Sequence, residues 1–268
     1  MTEAGTQRQF DETPPGMWPP TLWNWKNAVI ILVVWFAGFI AVNVIAAMVL
    51  LVQSGVMAEI VAGNAEILET VEPVVTFEVQ VVSFIGLAVI SLGTVAAVNV
   101  LGPRNSLQAF GFRPMEQRWW LISAGLAVAL AGSRVLLGWG LLLLFPALQE
   151  SAEALAASLL IPDLTLIESL VMMFFISFWV PFYEEVFFRG FLHNWLRNRL
   201  SLWPAIVVSS LAFGFIHIVP VQIVTAFLLG VGLAWVYEKS GSLWSAVVLH
   251  VVNNGLLAVL AFAPVLLG

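Results

Sequence analysis

The chain has no cysteine, so a disulfide, a thiolate zinc site and a cysteine nucleophile are all excluded. Charge is almost as scarce. Asp, Glu, Lys and Arg make up 10% of the 268 residues, where an ordinary soluble domain carries about 25%. A chain this poor in charge cannot clothe a water-facing surface. It has no basic run that could engage nucleic acid, and its formal charge of −6 comes from acids lying between apolar stretches. Those stretches dominate: 61% of the residues are hydrophobic, in runs of roughly 17–27, the length that carries a helix across ~30 Å of hydrocarbon. The expected fold is all-α, a polytopic transmembrane helical bundle in the lipid bilayer.

Polar breaks divide the apolar sequence into seven expected spans, at 27–52, 76–101, 119–145, 166–190, 203–219, 221–237 and 243–265. The first 26 residues lack a signal-peptide layout and are rich in Pro and Trp; they read as a tail with Trp18, Trp23 and Trp25 at the membrane interface. Residues 27–165 then form a three-helix membrane region and 166–268 a C-terminal four-helix core. Helical patterning in the fourth span continues past Arg189 to Leu200, giving one long helix that turns at 201–204 and re-enters. His193, on that amphipathic stretch, is expected at the surface.

Loop charges set the expected orientation. The first loop holds Glu59, Glu66, Glu69 and Glu72, and the third holds Glu150, Glu153 and Asp163, with no Lys or Arg in either. Arg8, Lys26, Arg104, Arg113, Arg118, Arg189, Arg197, Arg199 and Lys239 fall on the opposite side. The positive-inside rule makes that side cytoplasmic, with the N-terminus in and the C-terminus out. Short loops suggest a prokaryotic plasma membrane. Arg134 alone lies inside a span, and Glu168 or Glu78 could neutralise it.

Ionisable residues within a bilayer are costly and point to function. Glu184, Glu185 and Arg189 form one group. Neighbouring residues on a helix point ~100° apart, whereas Glu185 and Arg189 sit at i,i+4 in the favoured order for an ion pair. That pair leaves Glu184 aimed elsewhere, as a general base on water would be. Phe213 and His217 form a second group, and helical rise puts His217 within about one turn of the depth of Glu184. His250 and Asn254 form a third, on one helix face, where they could donate to an oxyanion. His217 and His250, with Glu184, also leave a divalent metal such as Zn2+ open. Taken singly, each group has a plainer reading as an interface ion pair, a core histidine or interhelical hydrogen bonding.

Other protease chemistries lack their residues. The two aspartates, Asp11 and Asp163, lie outside the spans, and there is no His-Glu-x-x-His. No Gly-x-Ser-Gly with a partnering histidine is evident. A proton-coupled carrier would also retain acids and histidines in the membrane, but it commonly shows repeated halves, and none is found.

Glu-Glu-x-x-x-Arg, Phe-x-x-x-His and His-x-x-x-Asn, in order over residues 166–265, resemble the CPBP family, the CAAX-protease and bacteriocin-processing membrane proteins also called Abi proteins. The resemblance implies an intramembrane endopeptidase acting on membrane peptides or proteins. Glu184 would activate water with help from His217, while His250 and Asn254 stabilise the oxyanion. Glu185, Arg189 and Phe213 would be structural support. Zinc and metal-free glutamate chemistry both stay open, as does a non-catalytic scaffold or immunity role on the same fold.

Overall fold

A backbone in hydrocarbon has no water to bond, so it must satisfy its own N–H and C=O groups, and each apolar run accordingly becomes a helix. The computed structural model describes residues 23–64, 75–101, 104–159, 161 and 163–267, with no strand among them. The tail up to residue 22 and the loop acids Glu66, Glu69 and Glu72 lie outside the described residues.

Helix α1 is Trp25–Gln53, α2 is Val56–Val61, α3 is Phe77–Leu101 and α4 is Gln117–Leu144. Next come α5, Gln149–Leu159, and α6, Leu166–Arg197. The chain ends with α7, Leu202–Phe215, α8, Pro220–Ser240, and α9, Leu243–Leu267. Short helices α2 and α5 occupy the first and third connections. Helices α1, α3, α4, α6, α8 and α9 are long and apolar enough to cross a membrane.

The fifth expected span is shorter than its sequence suggested. Helix α7 has 14 residues, about 21 Å of rise, and stops at Phe215 rather than near 219. Pro220 explains this, because the residue before a proline is pushed out of the helical region. Val219 is extended, at φ −69° and ψ 124°, and Ile218 is left-handed at φ 63°. The turn between α7 and α8 therefore falls directly after His217.

Helices α7 and α8 form a tight antiparallel hairpin because glycine lets them approach. A Cβ on Gly214 would stand 2.8 Å from the Ile223 carbonyl oxygen, and one on Gly230 would stand 3.0 Å from Ser210 Cβ. Helix α9 packs on α4 and α8, and α1 packs on α3. The C-terminal half of α6 runs through the middle, with Phe187, Phe188 and Phe191 buried. Trp35 of α1 stacks on Phe187 at 4.4 Å. Val33, Phe36, Leu121, Leu136 and Leu260 point outward, as lipid-facing side chains do. Trp23 departs from its expected interface position: it is buried edge-on to Phe110 and Phe191, at 4.9 and 5.1 Å. Trp25 is exposed.

Helix α6 widens twice. An α-helical segment, Val180–Glu185, lies between π-helical segments Phe175–Trp179 and Val186–His193. Pro181 has no N–H to return to the preceding turn and crowds its carbonyl, so the helix widens there. Such π turns often mark functional segments, and the two here bracket Glu184 and Glu185.

Candidate active site

The doubled glutamate divides as helix geometry requires. Glu185 is fully buried, and its Oε1 accepts from Arg189 Nη1 at 3.0 Å and from His250 Nδ1 at 2.8 Å. A carboxylate can only accept, so His250 carries its proton on Nδ1 and presents Nε2 as a lone pair. That Nε2 lies 3.8 Å from Glu184 Oε2, too far for a hydrogen bond. Glu184 accepts no hydrogen bond from the described residues, and its side chain is 11% exposed while that of Glu185 is 0%. The two adjacent acids thus differ in commitment, one locked and one available.

Arg189 completes the lock. Its Nη2 donates to the Gly230 carbonyl at 3.1 Å, and its guanidinium lies 4.6 Å over the Phe213 ring. Phe213 joins the other groups, lying edge-on to His217 at 5.0 Å, to His250 at 5.7 Å and to Phe188 at 5.2 Å. An aromatic ring offers its negative face to the cation and its edge to neighbouring rings, so one phenylalanine sets three polar side chains.

His217 Nδ1 donates to the Phe213 carbonyl at 2.8 Å, which leaves Nε2 as its lone pair. No hydrogen bond joins His217 to Glu184 among the described residues. Asn254 lies one helical turn beyond His250, and its Nδ2 donates to the Ile176 carbonyl on α6 at 3.3 Å. Its carboxamide is therefore partly committed to holding α9 against the widened turn.

Glu184, His217 and His250 do not assemble into a metal-ligand group, and no three His, Asp or Glu residues do so among the described residues. Each histidine has its Nδ1 engaged, on Glu185 or on the Phe213 carbonyl. An imidazole anchored through Nδ1 keeps its Nε2 lone pair open, for water or for a metal alike, and no step is assigned to a metal.

Two polar arrangements were missed in sequence. Arg134 pairs with neither Glu168 nor Glu78. Its Nη1 donates to Asn253 Oδ1, and Asn253 Nδ2 donates to the Ala127 carbonyl at 3.1 Å. Glu168 instead closes a capping box with Thr165, accepting its backbone N–H at 2.8 Å, which commits it to the start of α6. A buried asparagine one residue before the motif's Asn254, opposite a lone intramembrane arginine, was the available signal.

His193 is the second correction. It is fully buried, with Nδ1 3.0 Å from Ser209 Oγ and Nε2 2.8 Å from Glu238 Oε1. Arg197 Nε donates to the same Glu238 oxygen at 2.6 Å. The hairpin folds back over this face of α6, so its polar stripe meets protein rather than water. Together His193 and Arg197, one turn apart, foreshadow an acid on a neighbouring helix.

The fold and this site define a class: a helical membrane bundle with a paired-glutamate, arginine and histidine centre between α6, α7 and α9. Residues 166–256 match the family model described as type II CAAX prenyl endopeptidase Rce1-like, and over that stretch the match supports a likeness to the CPBP/CAAX proteases. It is similar to the "Putative membrane peptidase YdiL" of Bacillus subtilis (strain 168), at 24% identity over 103 residues. That alignment covers 38% of this chain and 42% of the relative, so the chain matches about two fifths of the relative's length. No solved structure matches the chain.

Proposed function

We propose that the protein is an intramembrane endopeptidase that cleaves membrane-associated peptides or proteins with a water activated by Glu184. The observation that carries this reading is the unequal commitment of the two acids. Glu185 is held by Arg189 and His250, while Glu184 has a free carboxylate face beside the lone pair of His250. In the reaction Glu184 takes a proton from water as the oxygen attacks the peptide carbonyl carbon. Asn254 stabilises the oxyanion, joined by His250 once its Nε2 has taken up a proton from solvent before the attack, and His217 Nε2 helps orient the water. Collapse breaks the C–N bond, and the proton held by Glu184 passes to the leaving amine.

The basic end of the bundle is assigned to the cytoplasm, with the N-terminus inside and the C-terminus outside. His250 lies seven residues after Leu243, where α9 begins, or about 10 Å along the axis. The scissile bond would sit at that depth, on the cytoplasmic side. A scaffold or immunity role on the same fold would also suit a site this closed, with Glu184 9% and His250 1% exposed.

The test is cleavage of a membrane-peptide pool by purified protein in liposomes, comparing wild type with Glu184→Gln, with and without chelator. Cleavage reduced about 100-fold or more in the variant is the expected result. Equal cleavage by both proteins contradicts the proposal. Activity that survives the chelator supports metal-free glutamate chemistry, and activity lost to it assigns the water to a metal.

A further inference from the structure

Arg134 remains without a role in this chemistry, although the membrane makes its charge expensive. It lies in α4, outside the family-matched stretch, and is only half-buried. Its Nη1 is held by Asn253, three residues after His250 and so on nearly the same face of α9. Its Nε is buried without a partner. No carboxylate lies within 4 Å of it among the described residues, yet its tether Asn253 stands beside His250, whose Nε2 is 3.8 Å from Glu184 Oε2.

The charges around Glu184 can be counted by element. Helix α6 supplies Glu184, Glu185 and Arg189, α4 supplies Arg134, α9 supplies His250, and His217 follows α7. Arg189 is consumed by Glu185 at 3.0 Å. Two carboxylates with one arginine would leave a net negative charge in a low-dielectric site, and a second arginine balances them. A neutral asparagine suits the tether: it fixes Arg134 between α4 and α9 without neutralising it. An acid at position 253 would have drawn the charge away from the site.

We propose that Arg134 is the positioning residue for Glu184, a counter-charge held off by Asn253 so that the carboxylate stays compensated without being tied up in a direct ion pair. The proposal rests on Glu184 being the working carboxylate, and it adds a residue from the N-terminal helices to the site. The gap of more than 4 Å between the two groups leaves Glu184 able to bond water. Glu185 shows the alternative, an acid in direct contact with its arginine and no longer available.

The test is a thermal double-mutant cycle on purified full-length protein in detergent, with Arg134→Gln, Glu184→Gln and the double variant, which needs no substrate. Each single variant is expected to lower Tm, and the double variant to recover about 4 °C or more over the sum. Additive losses overturn the proposal, because a residue that only ties α4 to α9 through Asn253 has no reason to sense position 184. Arg134→Lys, which keeps the charge, should retain the coupling to Glu184→Gln; losing it contradicts the charge argument. If Arg134→Gln alone fails to fold, recovery of a monodisperse double variant reads the same coupling, and a double variant no better than Arg134→Gln overturns it. In the cleavage assay Arg134→Lys should keep most of the wild-type kcat while Arg134→Gln loses it with little change in KM. Failure of the cycle sinks the role of Arg134, whereas a Glu184→Gln protein that cleaves normally sinks the protease reading.

Discussion

At the residue scale, two adjacent acids meet opposite fates. Glu185 is buried with both an arginine and a histidine on one oxygen. Removing its charge strands Arg189, which is buried and has no other acid beside it among the described residues, a loss of about 3–5 kcal/mol. Glu185→Gln should therefore unfold at clearly lower temperature than wild type, as read by thermal melts in detergent. Phe213→Ala should also cost about 3–5 kcal/mol, because a large core side chain and its seat for Arg189 disappear together. Phe213→Leu should recover much of that stability but little activity, since an aliphatic chain fills the volume without offering a ring face to the guanidinium. The split between Glu184 and Glu185 was legible in sequence because i,i+4 spacing is a fixed property of a helix. The bond from His250 to Glu185 was not, because it joins residues 65 apart whose facing depends on how α9 rotates against α6.

At the element scale, hydropathy located the helices and failed where proline chemistry intervened. The end of α7 was placed near 219 because residues 216–219 are mostly apolar, yet Pro220 forbids helix at Val219 and the chain turns early. The π turns of α6 were hidden for a related reason, since Pro181 sits inside an uninterrupted apolar run. His193 was misplaced because an amphipathic pattern shows that a polar face exists, and does not show whether water or another helix covers it. The hairpin offers a contrasting pair of tests. Gly214→Ala puts a methyl 2.8 Å from a backbone carbonyl, so the hairpin must open. It should lower Tm and reduce activity through His217, which follows three residues later. Ile218→Gly should be tolerated or mildly stabilising in the same melts, because a β-branched residue at φ 63° carries about 1–2 kcal/mol of steric strain that glycine lacks.

At the scale of the whole molecule, charge and hydropathy were sufficient for a helical membrane bundle, because the hydrocarbon solvent leaves few alternatives. They could not show how the N-terminal helices join the C-terminal ones. That junction runs through Trp35 on Phe187 and through Arg134 and Asn253, contacts between residues more than a hundred apart in sequence. The absence of cysteine makes orientation directly measurable. A membrane-impermeant maleimide on intact cells should label Glu153→Cys, in the acidic connection. It should reach Leu107→Cys, at the basic end, only after permeabilisation. The reverse pattern would turn the proposed orientation over.

The central claim is that chemistry belongs to Glu184 and architecture to Glu185. The most direct measurement is a side-by-side comparison of Glu184→Gln and Glu185→Gln, with Tm and peptide cleavage read on the same preparations. Glu184→Gln is expected to stay folded, within a few °C of wild type, and to lose cleavage about 100-fold or more. Glu185→Gln should lose stability first, with activity following the folded fraction. A Glu184→Gln protein that cleaves at the wild-type rate, or a Glu185→Gln protein that is fully stable yet inactive, would contradict that division.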